Sequence, residues 1–293
     1  MRIVCLFLVL LLAACAPVPR PTSAPLIYQK AEWDRADSAV IAIPGALTSI
    51  RAMTPALTLA APGRAVAFYR LPGYDGRPPE DFINLAFAAD HIATQVTRAG
   101  LRRVDLIGHS TGGVIALEAA KEIRRRAPET QVNVAAISMA MPAPQPVLAG
   151  IRGALGTLAA ATRAGSAKPK DIWLEYYRTL AYGDEVRTEP EVAAAADDLV
   201  AANTARIELP KDGLARRHTR DLRRWTNPDP GALAGVDITL YHGAEDPVFP
   251  PRVVHRFARR LPSAQVDLID GHGHLLMLTY PEIWGRIGDQ LGD

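Results

Sequence analysis

The stretch Val104-Asp-Leu-Ile-Gly-His-Ser-Thr-Gly-Gly-Val-Ile-Ala-Leu117 restricts the folds open to this chain more than any other. The apolar run 104–107 reads as a buried strand, and 114–120, with its Ala, Leu and Glu, reads as a helix. Between them Gly108-His109-Ser110-Thr111-Gly112 fits the pattern G-x-S-x-G. A chain that turns so sharply from strand to helix leaves no room for side chains two residues either side of the serine. Gly108 and Gly112 meet that demand, and the strained turn projects the Ser110 hydroxyl outward. The helix start beneath it offers free N–H groups and a positive dipole end, both suited to a developing oxyanion. The plain alternative is a Gly-rich turn without chemistry. A strand before and a helix after favour the nucleophile.

This segment resembles the nucleophile elbow of the α/β-hydrolase superfamily, whose triad runs Ser, then Asp or Glu, then His along the chain. The resemblance implies an α/β fold, a mostly parallel sheet flanked by helices with an inserted helical lid. It also implies where the partners should stand. Residues 236–241 read as a strand and lead into His242-Gly-Ala-Glu-Asp-Pro247, where similarity to G-x-x-D-P places the triad acid on Asp246, with Glu245 as the adjacent rival. A carboxylate there accepts a bond from an imidazole Nδ1–H, fixes its tautomer and stabilises the imidazolium. The strand 265–269 opens into Asp270-Gly-His-Gly-His274, with Pro281-Glu282 beyond, and His274 matches the general base of the superfamily. His272 is the rival, and His-x-His without further nearby ligands is a weak zinc signal.

The strand 39–43 ends in Pro44-Gly45-Ala46-Leu47, where the superfamily commonly carries His-Gly and then a residue whose N–H forms half of the oxyanion hole. Pro44 departs from that pattern. Proline removes its own N–H but not those of Ala46 or Leu47, so one of these serves as a donor and Thr111 as the second.

With 293 residues, 48% hydrophobic and 22% charged, the chain can bury a large core as one domain or a domain with an insertion. A net charge of +2 gives no reason to expect nucleic acid as a partner. Residues 1–14 read as a leader: a basic start at Arg2, an apolar run 3–12, then Ala13-Ala14. The run falls short of the roughly 20 apolar residues that span a bilayer. Leu12-Ala13-Ala14-Cys15 resembles a bacterial lipobox, which implies a lipidated Cys15 and an exported lipoprotein anchored in a membrane and facing the periplasm. Ala16 after the cysteine resembles an outer-membrane signal in Gram-negative bacteria. Cys5 leaves with the leader, so the exported part has neither a disulfide nor a thiol nucleophile. Several acyl chains anchor stably where one does not. Pro17, Pro19, Pro21 and Pro25 then make 15–30 an extended tether.

Strands alternating with helices make 31–142 and 233–293 the core. They include a strand at 65–69, a structural turn Gly73-Tyr-Asp-Gly76, a helix over 80–100 with Phe82, Leu85, Ala86 and Ala89 on one face, and a strand at 132–137. Over 143–232 the alternation stops, and helical patches at 170–182, 190–205 and 212–225 stand where the superfamily inserts its lid. Trp173, Tyr176, Tyr177 and Leu180 read as lid core or as the lining of an acyl pocket. Arg216, Arg217, Arg220, Arg223 and Arg224, with Asp221 paired locally, read as a solvated face, or as a surface for anionic lipid or a substrate phosphate.

The resemblance implies acyl transfer from a small-molecule or lipid ester, with Ser110, Asp246 and His274 as the catalytic residues and no metal or organic cofactor. An acyltransferase with the same triad and a non-catalytic scaffold of the same fold are the competing expectations.

Overall fold

The computed structural model describes residues 24–79, 83–204, 209 and 213–292. The expected leader, Cys15, most of the tether, Phe82 and the start of the predicted 212–225 helix lie outside the described residues.

Seven strands form one sheet: β1 (Leu26–Tyr28), β2 (Ser38–Ile43), β3 (Arg64–Tyr69), β4 (Arg103–His109), β5 (Gln131–Ile137), β6 (Asp237–Gly243) and β7 (Ala264–Ile269). Their order across the sheet is β1-β3-β2-β4-β5-β6-β7. β1 runs antiparallel to β3, and every other pairing is parallel. A parallel sheet is covered on both faces, which is why β2, β4 and β5 read as nearly unbroken apolar runs. Ile41, Ile43 and Leu106 fill the core on one face, and Val40, Ala42 and Ile107 fill it on the other.

Among the described residues the α-helices of six residues or more are, in chain order, α1 (Leu85–Ala99), α2 (Thr111–Arg126), α3 (Gln145–Ala164), α4 (Pro169–Tyr182), α5 (Pro190–Asn203), α6 (Leu214–Thr219), α7 (Pro251–Ala258) and α8 (Ile283–Gln290). Asn84 caps α1 by accepting the Phe87 N–H, and Gly100 ends it at φ +65°. The insertion between β5 and β6 contains α3 to α6. Among the described residues no helix is long and apolar enough to cross a membrane.

Several elements differ from the sequence expectation. Residues 26–28, expected in the tether, form the edge strand β1, and the buried Trp33 stacks on Tyr28 at 4.4 Å. Three residues are too few to register a period of two. Helix α3 was not expected, because Gly150, Gly153 and Gly156 weaken its propensity. Packing overrides that weakness, since a Cβ on Gly156 would lie 2.7 Å from the Tyr176 ring. Helix α6 covers only 214–219 of the longer helix expected there.

The carboxyl ends of β2, β4, β6 and β7 bring Ala46, Ser110, Asp246 and His274 to one edge of the sheet, where open α/β sheets place their sites. β1 pairs Leu26 with Tyr69, the last residue of β3, so the described chain begins at that same edge.

Candidate active site

Ser110 stands at the head of α2 with φ +50° and ψ −115°, outside the usual regions for an L residue. Its N–H donates to the Ile137 carbonyl, while its own carbonyl accepts from Gly113 and Ala140 at 3.0 Å. These bonds over-determine a conformation that costs free energy. The flanking glycines are enforced by contact. A Cβ on Gly108 would run into the Gly112 carbonyl, and one on Gly112 into the carbonyls of Ile43 and Pro44. The end of β2 therefore lies directly against the elbow.

His274 Nε2 is 3.1 Å from Ser110 Oγ, and its Nδ1 is 2.8 Å from Asp246 Oδ2. Asp246 is buried, and its Oδ1 accepts the N–H groups of Val248 at 2.7 Å and Phe249 at 3.0 Å. Burial alone would raise the Asp246 pKa. His274, His242 and the Phe249 N–H outweigh it and hold the carboxyl below its ordinary value. An ionised carboxylate can only accept, so the His274 proton sits on Nδ1 and the bare Nε2 faces the serine hydroxyl. The rivals stand apart from this line. Glu245 lies against Gly183, its pKa raised by burial and by Glu185, Asp270 and Asp184. The His272 ring sits beside Tyr182 and Tyr280, at 6.0 and 5.3 Å.

The loop after β2 approaches the serine closely: a Cβ on Gly45 would be 3.0 Å from Ser110 Cβ. Leu47 is corrected as a candidate oxyanion donor, because its N–H is occupied, donating to His218 Nδ1 at 3.1 Å. Among the described residues the Ala46 N–H forms no hydrogen bond. The Thr111 N–H opens α2 and has no preceding turn to meet. Ala46 and Thr111 remain as the free donors beside Ser110.

Four contacts that the sequence did not signal come from the lid. The Leu180 and Ala181 carbonyls at the end of α4 accept the His274 and Gly273 N–H groups at 2.7 Å. Arg152 on α3 donates to the Val248 carbonyl at 2.8 Å, one residue whose N–H holds Asp246. His218 holds Leu47. Backbone carbonyls have no sequence signature, and a lone Arg or His in a helical patch carries no pattern.

The aromatic patch divides. Tyr177 and Leu180 pack on the core, whereas Tyr176 lies against the glycines of α3, its pKa pushed up to about 12 by burial and by the Asp246 charge. Asp221 accepts the Leu85 N–H at 3.1 Å at the start of α1, rather than pairing with the arginines beside it. Arg216, Arg217, Arg220 and Arg223 line an open cleft of about 470 Å³.

His109, the residue before the serine, is buried and donates from Nε2 to the His274 carbonyl at 3.1 Å. Burial, and then the nearby His274, lower its pKa from 6.5 to about 3. The unfolded chain therefore takes up a proton that the folded chain refuses between pH 6.5 and about 3. The stability this group contributes is complete above pH 6.5 and is lost as the pH falls through that window. Urea unfolding from pH 7 to pH 4 should show a falling free energy, with a shallower slope in His109→Gln. Equal slopes in the two proteins would place the acid sensitivity elsewhere.

A model of the alpha/beta hydrolase family matches residues 40–284. By fold and by sequence, the protein is of the α/β-hydrolase class. The chain belongs to the alpha/beta hydrolase family. No curated protein sequence matches it. Among solved structures it resembles MGS-M2, an alpha/beta hydrolase enzyme from a Medee basin deep-sea metagenome library, with 14% identity and a TM-score of 0.62 over 87% of this chain and 90% of that one. It also resembles carboxylesterase CesB from Bacillus subtilis, with 19% identity and a TM-score of 0.60 over 91% and 87%. A third likeness is to proline iminopeptidase from Mycobacterium smegmatis, with 19% identity and a TM-score of 0.57 over 87% and 89%. At such identities these structures speak for the fold. One is named for ester and one for peptide chemistry, so the substrate must be argued from the site.

Proposed function

We propose that this protein is a serine hydrolase that cleaves a carboxylic ester through an acyl-enzyme on Ser110. The observation that supports it best is the unbroken line from Ser110 Oγ through His274 to the buried Asp246, at 3.1 and 2.8 Å. His274 Nε2 takes the Ser110 proton as Oγ bonds to the ester carbonyl carbon. The carbonyl oxygen becomes an oxyanion held by the Ala46 and Thr111 N–H groups. His274 then returns the proton to the departing alcohol. Water repeats the sequence on the acyl-enzyme, giving up its proton to His274, and the acid leaves. The test is labelling with a fluorophosphonate. A stoichiometric adduct on Ser110, absent in Ser110→Ala, is expected; an unlabelled wild-type protein would favour a scaffold.

A lipid-derived ester is the substrate class we favour. The outward face of α3 exposes Val147, Leu148, Ile151, Leu155 and Leu158, and Gly150 and Ala154 on the same face add no charge. A run of exposed apolar side chains of this extent is uncommon on a protein that meets only water. A screen of esters by acyl length, each offered as monomer and in micelles, tests it. Turnover confined to short, freely soluble esters would argue against it.

The same reading includes export as a lipoprotein acylated at Cys15, supported by the leader pattern of 1–15. Cys15 to Ala24 can reach at most roughly 30 Å. Because β1 starts at the site edge of the sheet, such a tether would leave from the side that carries Ser110. Cys15→Ser should release the protein from the membrane fraction and leave its purified activity intact, since the site lies in the folded core. Mass spectrometry of the N-terminus and fractionation decide it. An unmodified Cys15 would return the protein to the soluble secreted class.

A further inference from the structure

His218 is an almost fully buried lid histidine, 1% exposed, joined to two core loops. Its Nδ1 accepts the Leu47 N–H at 3.1 Å, and its Nε2 donates to the Pro72 carbonyl at 2.8 Å. The two partners fix the tautomer, because an N–H can only donate and a carbonyl can only accept. The ring is neutral, with its proton on Nε2. Burial, first, and the charge of Arg77 lower its pKa, which keeps it in that form.

The loop it grips is strained. Leu47 has φ +62°, a left-handed conformation that a non-glycine residue adopts only when its surroundings impose it. The Thr48 N–H to Gly45 carbonyl bond closes the turn from within, at 3.1 Å, and the His218 bond holds it from outside. The peptide that joins Gly45 to Ala46 is planar, so the Thr48 bond to the Gly45 carbonyl also orients the Ala46 N–H, and the His218 bond to Leu47 holds the turn in which that peptide lies. The Ala46 N–H is the free donor one residue earlier.

We propose that His218 is a positioning residue, which sets the oxyanion hole from the lid by holding Leu47 so that the Ala46 N–H faces the reacting carbonyl. This rests on the reading of Ser110 as nucleophile. It also gives the lid a task in the chemical step, beyond covering the site. Donors aimed before the charge develops are worth more than donors that must reorganise.

The test compares three variants on p-nitrophenyl acetate and with a trifluoromethyl ketone that forms a tetrahedral adduct. His218→Leu keeps the bulk and loses both bonds. It should lower kcat about 100-fold, the size of losing one oxyanion donor, with KM changed less than about threefold and ketone affinity falling in step with kcat. His218→Asn places an acceptor where Nδ1 stood and should recover most of kcat. His218→Gln reaches toward Pro72 but not Leu47 and should not. An unchanged kcat in His218→Leu, or rescue by Gln and not Asn, would overturn the proposal. If the Leu variant does not fold, the Asn and Gln pair decides alone. The ring can also be read without turnover: ¹⁵N chemical shifts should report a protonated Nε2 and a bare Nδ1 at neutral pH, and a protonated Nδ1 would overturn it. Failure of the nucleophile reading is seen separately, as absence of the Ser110 adduct in the wild-type protein.

Discussion

Alanine at Ser110 or at His274 is expected to remove nearly all turnover, each change costing about 10⁴–10⁶ in kcat, and the double change little more than either alone. In the proposed mechanism proton transfer and nucleophilic attack are one event along the 3.1 Å contact between Ser110 Oγ and His274 Nε2, so removing either partner removes both. Neither change should unfold the protein. The elbow is held by backbone bonds from Ile137, Gly113 and Ala140 that do not involve the serine hydroxyl. His272→Ala is the control, since its ring sits between Tyr182 and Tyr280, and it should retain most activity. Additive losses from the two alanine changes, or a dead His272→Ala, would break the assignment.

Asp246→Asn should cost about 10⁴-fold in kcat, and the structure gives a specific reason. Oδ1 of this residue accepts two N–H groups, from Val248 and Phe249, so the amide oxygen of an asparagine must occupy that place. The amide NH₂ is then turned toward His274 Nδ1, where Oδ2 stood at 2.8 Å. A donor in that position forces Nδ1 to accept and moves the imidazole proton to Nε2, opposite the Ser110 hydroxyl. The histidine is present, well placed and in the wrong tautomer. Fluorophosphonate labelling of Ser110 should slow in parallel with kcat, while the unfolding midpoint moves little. A variant with near-normal turnover would mean that Asp246 serves the fold more than the reaction.

The geometry of the Ser110 turn was legible because its requirements are local. A strand turning into a helix within five residues needs glycine at 108 and 112, and the tight approaches at both positions follow from that turn. The strands were legible because a sheet buried on two faces demands apolar runs, as in 104–107 and 132–137. Asp246 and His274 are each local features too, but their pairing across 28 residues of chain is not; a superfamily resemblance, rather than physics, singled them out from Glu245 and His272. Helix α3 was missed because its glycines lower local propensity, and only Tyr176 packing against them explains why they are there.

Residue order alone was enough to read an α/β chain with a serine on a strained turn, an aspartate and a histidine after later strands, and an insertion without strands. Tertiary structure alone decided which neighbour each residue meets. It occupied the Leu47 N–H with His218, a residue 171 positions away, and left the Ala46 N–H as the candidate donor. It also made the lid hold three of the four loops of the site through the Leu180 carbonyl, Arg152 and His218. The physical reason is that composition and periodicity record which surfaces must be buried. A hydrogen bond between a backbone N–H and a distant side chain depends on position in space, and it leaves no trace in the order of the residues.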